Sequence, residues 1–145
     1  MQAGRNMVVL FMAAALLSAC GAVRGTVPAT LTGTQWLVED LEGAGVLDRL
    51  QSTLEFPQSG AAAGNLGCNR FTATYQQSGP GLRFGGVAAT RKMCPPAVMA
   101  QEQRYAGVLE RSRGALLDEP FLYLIDDRGA KLARLIRHEG PGVSD

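Results

Sequence analysis

The chain has 145 residues, with 14 basic and 13 acidic side chains, a formal charge of +1 and 46% hydrophobic residues. That length suits one domain with a proper core and argues against several. A charge balance this close to neutral gives no electrostatic reason to expect nucleic acid or an acidic membrane surface as a partner.

The first segment in chain order is an export leader. Arg5 precedes an apolar run from Met7 to Leu17, and small Ser18 and Ala19 lead into Cys20. A basic start, a short apolar stretch and a small-residue site make a signal peptide over residues 1–19, and the run is too short to span a bilayer. Leu17-Ser18-Ala19-Cys20 resembles the lipobox of bacterial lipoproteins, which implies acylation of the Cys20 thiol and Cys20 as the mature N-terminus. The alternative is an ordinary secretory leader with an incidental cysteine. One acyl chain holds a protein only marginally, whereas two or more hold it stably, so the expected membrane contact is lipid on Cys20. Gly21 follows, where an aspartate would resemble an inner-membrane retention signal. The expected address in a two-membrane bacterium is therefore the outer membrane, facing the periplasm. Residues 20–32 are small, polar and proline-containing, and read as a tether.

With Cys20 consumed by lipid, Cys68 and Cys94 remain as an even pair in an oxidising compartment, which reads as a disulfide. Closing that loop would contribute about 3.5 kcal/mol by chain entropy. The alternatives are a metal pair or a reactive thiol. Two cysteines and His138 fall short of a closed four-ligand zinc site, and no metal or other cofactor is expected.

Trp36 and Val38 alternate with Leu37 and Glu39 as in a strand that buries the tryptophan. Residues 41–51 read as a loop. Residues 52–56 form a second strand with Leu54 and Phe56 on one face, ended by Pro57, Ser59 and Gly60. Residues 61–67 are small and glycine-rich. Phe71, Ala73 and Tyr75 then alternate with Thr72 and Thr74, and after a turn at residues 78–81 a strand runs through Leu82 and Phe84 to about Thr90. Val98, Tyr105, Val108 and Leu109 fall at helical spacing, so residues 96–113 are expected to be an amphipathic helix with proline in its first turn. Phe121, Tyr123 and Ile125 alternate in the next strand, residues 126–129 turn, and residues 131–137 return, although Leu132, Leu135 and Ile136 fit a period of two imperfectly. Six or seven short strands and one inserted helix predict a mainly β fold on the α+β border. It is a small, antiparallel, barrel-like curved sheet over residues 33–137, followed by a loose tail at 138–145.

Between Gly64 and Phe71 the chain reads Gly-Asn-Leu-Gly-Cys-Asn-Arg-Phe, which resembles the META domain family of small heat-inducible bacterial lipoproteins. The likeness includes the opening Gly33-Thr34-Gln35-Trp36-Leu37 and Leu54-Glu55-Phe56. Its core is the motif Gly67, Cys68, Asn69, Arg70 and Phe71, then Tyr75, and Thr90 through Met93 and Cys94 as a T-x-x-M-C segment. Glu102, Tyr105 and Leu109 match the family's helix, and Leu122 to Leu124 its late strand. Ala73 stands where the family usually has glycine. The resemblance implies a compact β fold with one helix, no established enzymatic activity, and loose association with envelope stress, antibiotic tolerance, motility or secretion.

Candidate chemistry is sparse. Cys68 beside Asn69 lacks the positioned base a nucleophile needs, and Asn69 is expected to turn the backbone at positive φ or by side-chain capping. The glycines at 60, 64 and 67 lack a phosphate-loop signature and fit a bulge or corner. Asp118, Glu119, Asp126 and Asp127 lack a calcium-loop pattern. Glu102 lies near the apolar helix face, in reach of a backbone amide or Arg70, and this pair is the candidate polar site. Arg70, Arg91, Lys92 and Arg104 form a candidate basic patch near the cysteines, suited to lipopolysaccharide phosphates or an acidic partner. The expected function is a non-catalytic envelope lipoprotein acting through contacts with an envelope protein or lipid. The alternative is a small-ligand barrel for a lipid or hydrophobic compound.

Overall fold

A computed structural model describes residues 25–139. The leader, the lipobox with Cys20, the start of the tether and the end of the tail lie outside the described residues. Among the described residues there are nine strands and one helix: β1 (Gln35–Leu41), β2 (Ala44–Gly45), β3 (Thr53–Gln58), β4 (Ala61–Asn65), β5 (Arg70–Ser78), β6 (Gly81–Ala89), α1 (Pro96–Arg111), β7 (Gly114–Asp118), β8 (Phe121–Ile125) and β9 (Lys131–Arg137). The fold is mainly β, as expected. The strands form one antiparallel sheet in the order β2-β1-β3-β4-β5-β6-β7-β8-β9, and β1 also pairs with β9, so the curved sheet closes into a ring.

The nine strands exceed the six or seven expected. Residues 61–65 form β4 although alanine and glycine favour strands poorly, because β3 passes very close. A Cβ at Gly64 would sit 2.1 Å from the Thr53 carbonyl oxygen. Residues 114–118 form β7, and residues 41–51 contain the end of β1 and the short β2. Pro57 lies within β3, leaving Ser59 and Gly60 as the turn. The imperfect period of β9 has a local cause. Leu132 is an extra residue between the partners of Leu124 and Ile125, a bulge that turns both Leu132 and Ala133 inward.

The end of the expected tether is part of the folded body. Thr26 exchanges backbone hydrogen bonds with Leu117, and Leu31 is buried in the core. The ring interior is filled by Trp36, Leu54, Phe56, Phe71, Leu122 and Leu135, among others. Phe56 meets Tyr75 edge-on at 4.9 Å between centroids. Among the described residues, every strand pairing and every buried core residue lies between residues 26 and 137.

β6 and β7 share a single residue pair, Gly81 with Gly114, and the chain between them forms α1. Pro96 opens the helix, where its missing N–H is no loss. Two residues short of the expected end, Ser112 stops it, turning to extended backbone while its hydroxyl donates to the Val108 carbonyl. The helix buries Tyr105, Val108 and Leu109. Tyr105 packs edge-on against Phe71 and donates its hydroxyl to the Thr53 carbonyl, fixing α1 across β3 and β5.

Candidate functional site

Two adjacent helix residues, Gln101 and Glu102, are buried although polar, and each holds a loop. Gln101 accepts a hydrogen bond from the Leu47 amide and donates to the Ser52 hydroxyl, which donates to the Leu66 carbonyl. Glu102, 5% exposed, holds the loop after β4. One of its carboxylate oxygens accepts from the backbone amides of Cys68, at 2.7 Å, and Asn69. The other accepts from the Asn69 side-chain amide at 2.8 Å. Burial pushes this carboxyl up, but the Asn69 side chain and the two backbone N–H groups together outweigh it and hold Glu102 below the ordinary carboxylate range.

Asn69 carries the restraint onward. Its side-chain carbonyl accepts from the Thr90 hydroxyl and the Lys92 amide, and its amide donates also to the Lys92 carbonyl. The side chain therefore uses both donors and both acceptor sites. Of the two expected ways of turning the backbone, positive φ is not used; the Asn69 side chain instead ties three segments together. Gly67 is the residue of this loop in a glycine conformation, with φ +154°, and an added Cβ would come 2.9 Å from the end of the Leu50 side chain.

Cys68 and Cys94 lie at disulfide-bonding distance, with Cα atoms 6.6 Å apart. The segment leaving β6 is thus held at Thr90 and Lys92 by Asn69 and at Cys94 by sulfur. Between these fixed points Met93 stands 96% exposed.

The fixed segment forms one wall of a groove of about 360 Å³; the helix residues Met99, Glu102, Gln103 and Ala106 form the other, with Leu66 and Asn69 at the base. Apart from Glu102 and Asn69, whose polar atoms are already bonded, the lining is mostly apolar surface. Arg91 and Lys92 flank it, exposed.

Of the motif residues, Asn69, Thr90 and Met93 line this groove, Gly67, Cys68 and Cys94 adjoin lining residues in the chain, and two lie elsewhere. Phe71 points into the core. Arg70 is exposed and does not reach Glu102, whose partners are Cys68 and Asn69; the candidate pair is not formed, because Arg70 starts β5 with its side chain on the outer surface. Arg104 also leaves the expected basic patch. It follows Glu102 by two residues, about 200° around the helix, and does not line the groove. Among the acidic residues, Glu119 pairs with Arg137 at 2.8 Å, and Asp126 accepts from the amides of Arg128 and Ala130 within its turn. No group of three or more potential metal ligands converges among the described residues. Gln101, Met99, Gln103 and Ala106 were missed from sequence. The spacing of Met99, Gln103 and Ala106 on one helix face, beside Glu102, was the available signal.

No curated protein matches the chain. An NMR structure of a protein from Burkholderia xenovorans is 25% identical, with a TM-score of 0.59 over 76% of this chain and 85% of that one. A second NMR structure, 24% identical with a TM-score of 0.57 over 73% of this chain and 91% of the other, shares the fold. The META domain family model matches residues 29–139, which takes in the ring, the helix and both walls of the groove: the chain belongs to the META domain family.

Proposed function

We propose that this protein is a non-catalytic binding module of the bacterial cell envelope. In this reading it is held at the membrane by lipid on Cys20 and contributes to envelope stress or antibiotic tolerance through contacts made at the groove. The observation that carries the reading is Met93. A large apolar side chain 96% exposed on a segment held at both ends stands in water by construction, not by looseness. Exposed apolar surface beside an apolar groove marks binding sites, and methionine adapts to varied partners. The filled ring interior argues against a ligand inside the sheet, so the small-ligand alternative belongs to the same surface groove.

The lipid anchor is supported by Leu17-Ser18-Ala19-Cys20. Six residues from Cys20 to Gly25 reach at most about 20 Å, so an anchored Cys20 keeps the folded body at the membrane surface. The test is complementation of a deletion strain for antibiotic or envelope-stress tolerance. Met93→Asp should fail to complement at normal protein level, and Leu47→Asp, an exposed position away from the groove, should complement. Full complementation by Met93→Asp would sink the groove as the site of action. Membrane fractionation of Cys20→Ala, which should release the protein, tests the anchor separately.

A further inference from the structure

A second depression meets the groove at the end of β6. It measures about 420 Å³, shares Ala89 and Thr90 with the groove, and lies on the outer face of the sheet over Ala63, Thr72 and Ala88 with Arg70 alongside. Ala89 and Ala106 keep the groove a low, smooth track, and Met93 and Met99 give it adjustable sides. Pockets of a few hundred Å³ that are mostly apolar with a few placed polar groups are the usual form of a small-molecule site.

The charges around the track are one-sided. Arg70, Arg91 and Lys92 are exposed, and none is in an ion pair among the described residues. Glu102 is the one carboxylate lining either depression, and three N–H groups already occupy its oxygens. An apolar floor with unpaired cations beside it matches a hydrocarbon chain that ends in an anion. A neutral or cationic ligand would leave those cations unused.

Resting on the reading of the groove as a binding site, we propose that it takes a single-chain anionic amphiphile, a fatty carboxylate or a lysophospholipid phosphate. The chain lies in the groove between α1 and residues 89–93, and the head group meets Arg91 and Lys92.

The test uses the chain from Gly21, which contains every described residue, oxidised and with 13C-labelled methionine methyls. Laurate, lysophosphatidylglycerol and dodecanol are titrated below their micelle concentrations. Saturable shifts of the Met93 and Met99 methyls with laurate, lysophosphatidylglycerol or both are expected, and comparing the two separates a carboxylate from a phosphate head. Dodecanol should bind roughly tenfold more weakly, and the double variant Arg91→Gln, Lys92→Gln should lose roughly tenfold for the anionic ligands only, the size of one charge-assisted contact. Ala106→Leu should block the track. Equal binding of dodecanol, or indifference to the double variant, would overturn the proposal. If an acidic leucine-rich peptide saturates the same methyls while the amphiphiles do not, the ligand class is wrong but the groove remains a binding site. Silence with every probe overturns both readings.

Discussion

Glu102 and Asn69 show how two side chains can set the position of two loops against a helix. A buried carboxylate without partners would be neutralised or expelled, and this one is kept charged by three N–H groups aimed at it. Glu102→Ala leaves the buried Asn69 amide and the half-buried Cys68 amide without their acceptor, and a loss of about 2–4 kcal/mol is expected from chemical denaturation. Glu102→Gln keeps an acceptor oxygen and should lose less. The pH dependence separates them from a mere packing change. Because the folded carboxyl titrates below its unfolded value of about 4.3, its stabilisation is present above that pH and is lost as pH falls through the folded value. The stability gap between the wild type and Glu102→Gln should therefore be constant near neutrality and shrink below about pH 4. A gap that stays constant to pH 2 would show that the charge is not what holds the loop.

Among the elements, β3 and β4 depend on close approach. Gly64→Val would drive side-chain atoms into the Thr53 carbonyl, where even a Cβ would be 2.1 Å away, and should unfold the sheet at that pairing. Circular dichroism and a thermal midpoint well below that of the wild type would check it, and a wild-type melt would contradict the close packing. That closeness also explains what was legible from sequence. Strands with alternating large residues, such as those carrying Trp36, Phe71 and Tyr75, announce themselves because one face must be apolar. β4 does not, since its job is to be thin, and Ala61–Asn65 offers no side-chain pattern. β7 is hidden for the opposite reason: Ala115 and Leu117 face inward while Leu116 is half-buried against Gly25, so both faces are apolar. Within the site, Glu102 was readable as a carboxylate on an apolar helix face. Its partners were not, because the path of the Gly67–Asn69 loop is set by tertiary contacts with Leu50 and the helix. Asn69 looked like a local turn residue because its true partners, Thr90 and Lys92, lie more than twenty positions away in sequence.

The whole molecule divides into a ring, closed by β1 and β9 around a filled core, and a mount built on its flank by α1, the Gly67–Asn69 loop and residues 90–95. The ring does not depend on Cys68 or Cys94 for any of its pairings. Replacing both cysteines with serine should therefore lower stability by about 2–4 kcal/mol while leaving the β-sheet spectrum and the Trp36 environment intact. Amide exchange should rise in residues 90–95 and stay low in the strands. Loss of the whole fold would mean that ring and mount are one cooperative unit.

A fixed mount holds Met93 out in solvent, and backbone 15N relaxation of Met93 in the oxidised protein measures this most directly. Anchored at Lys92 by Asn69 and at Cys94 by sulfur, its amide should show an order parameter near 0.85, like those of the strands. A value below about 0.6 would make Met93 the tip of a mobile loop, and its exposure would then say nothing about a partner.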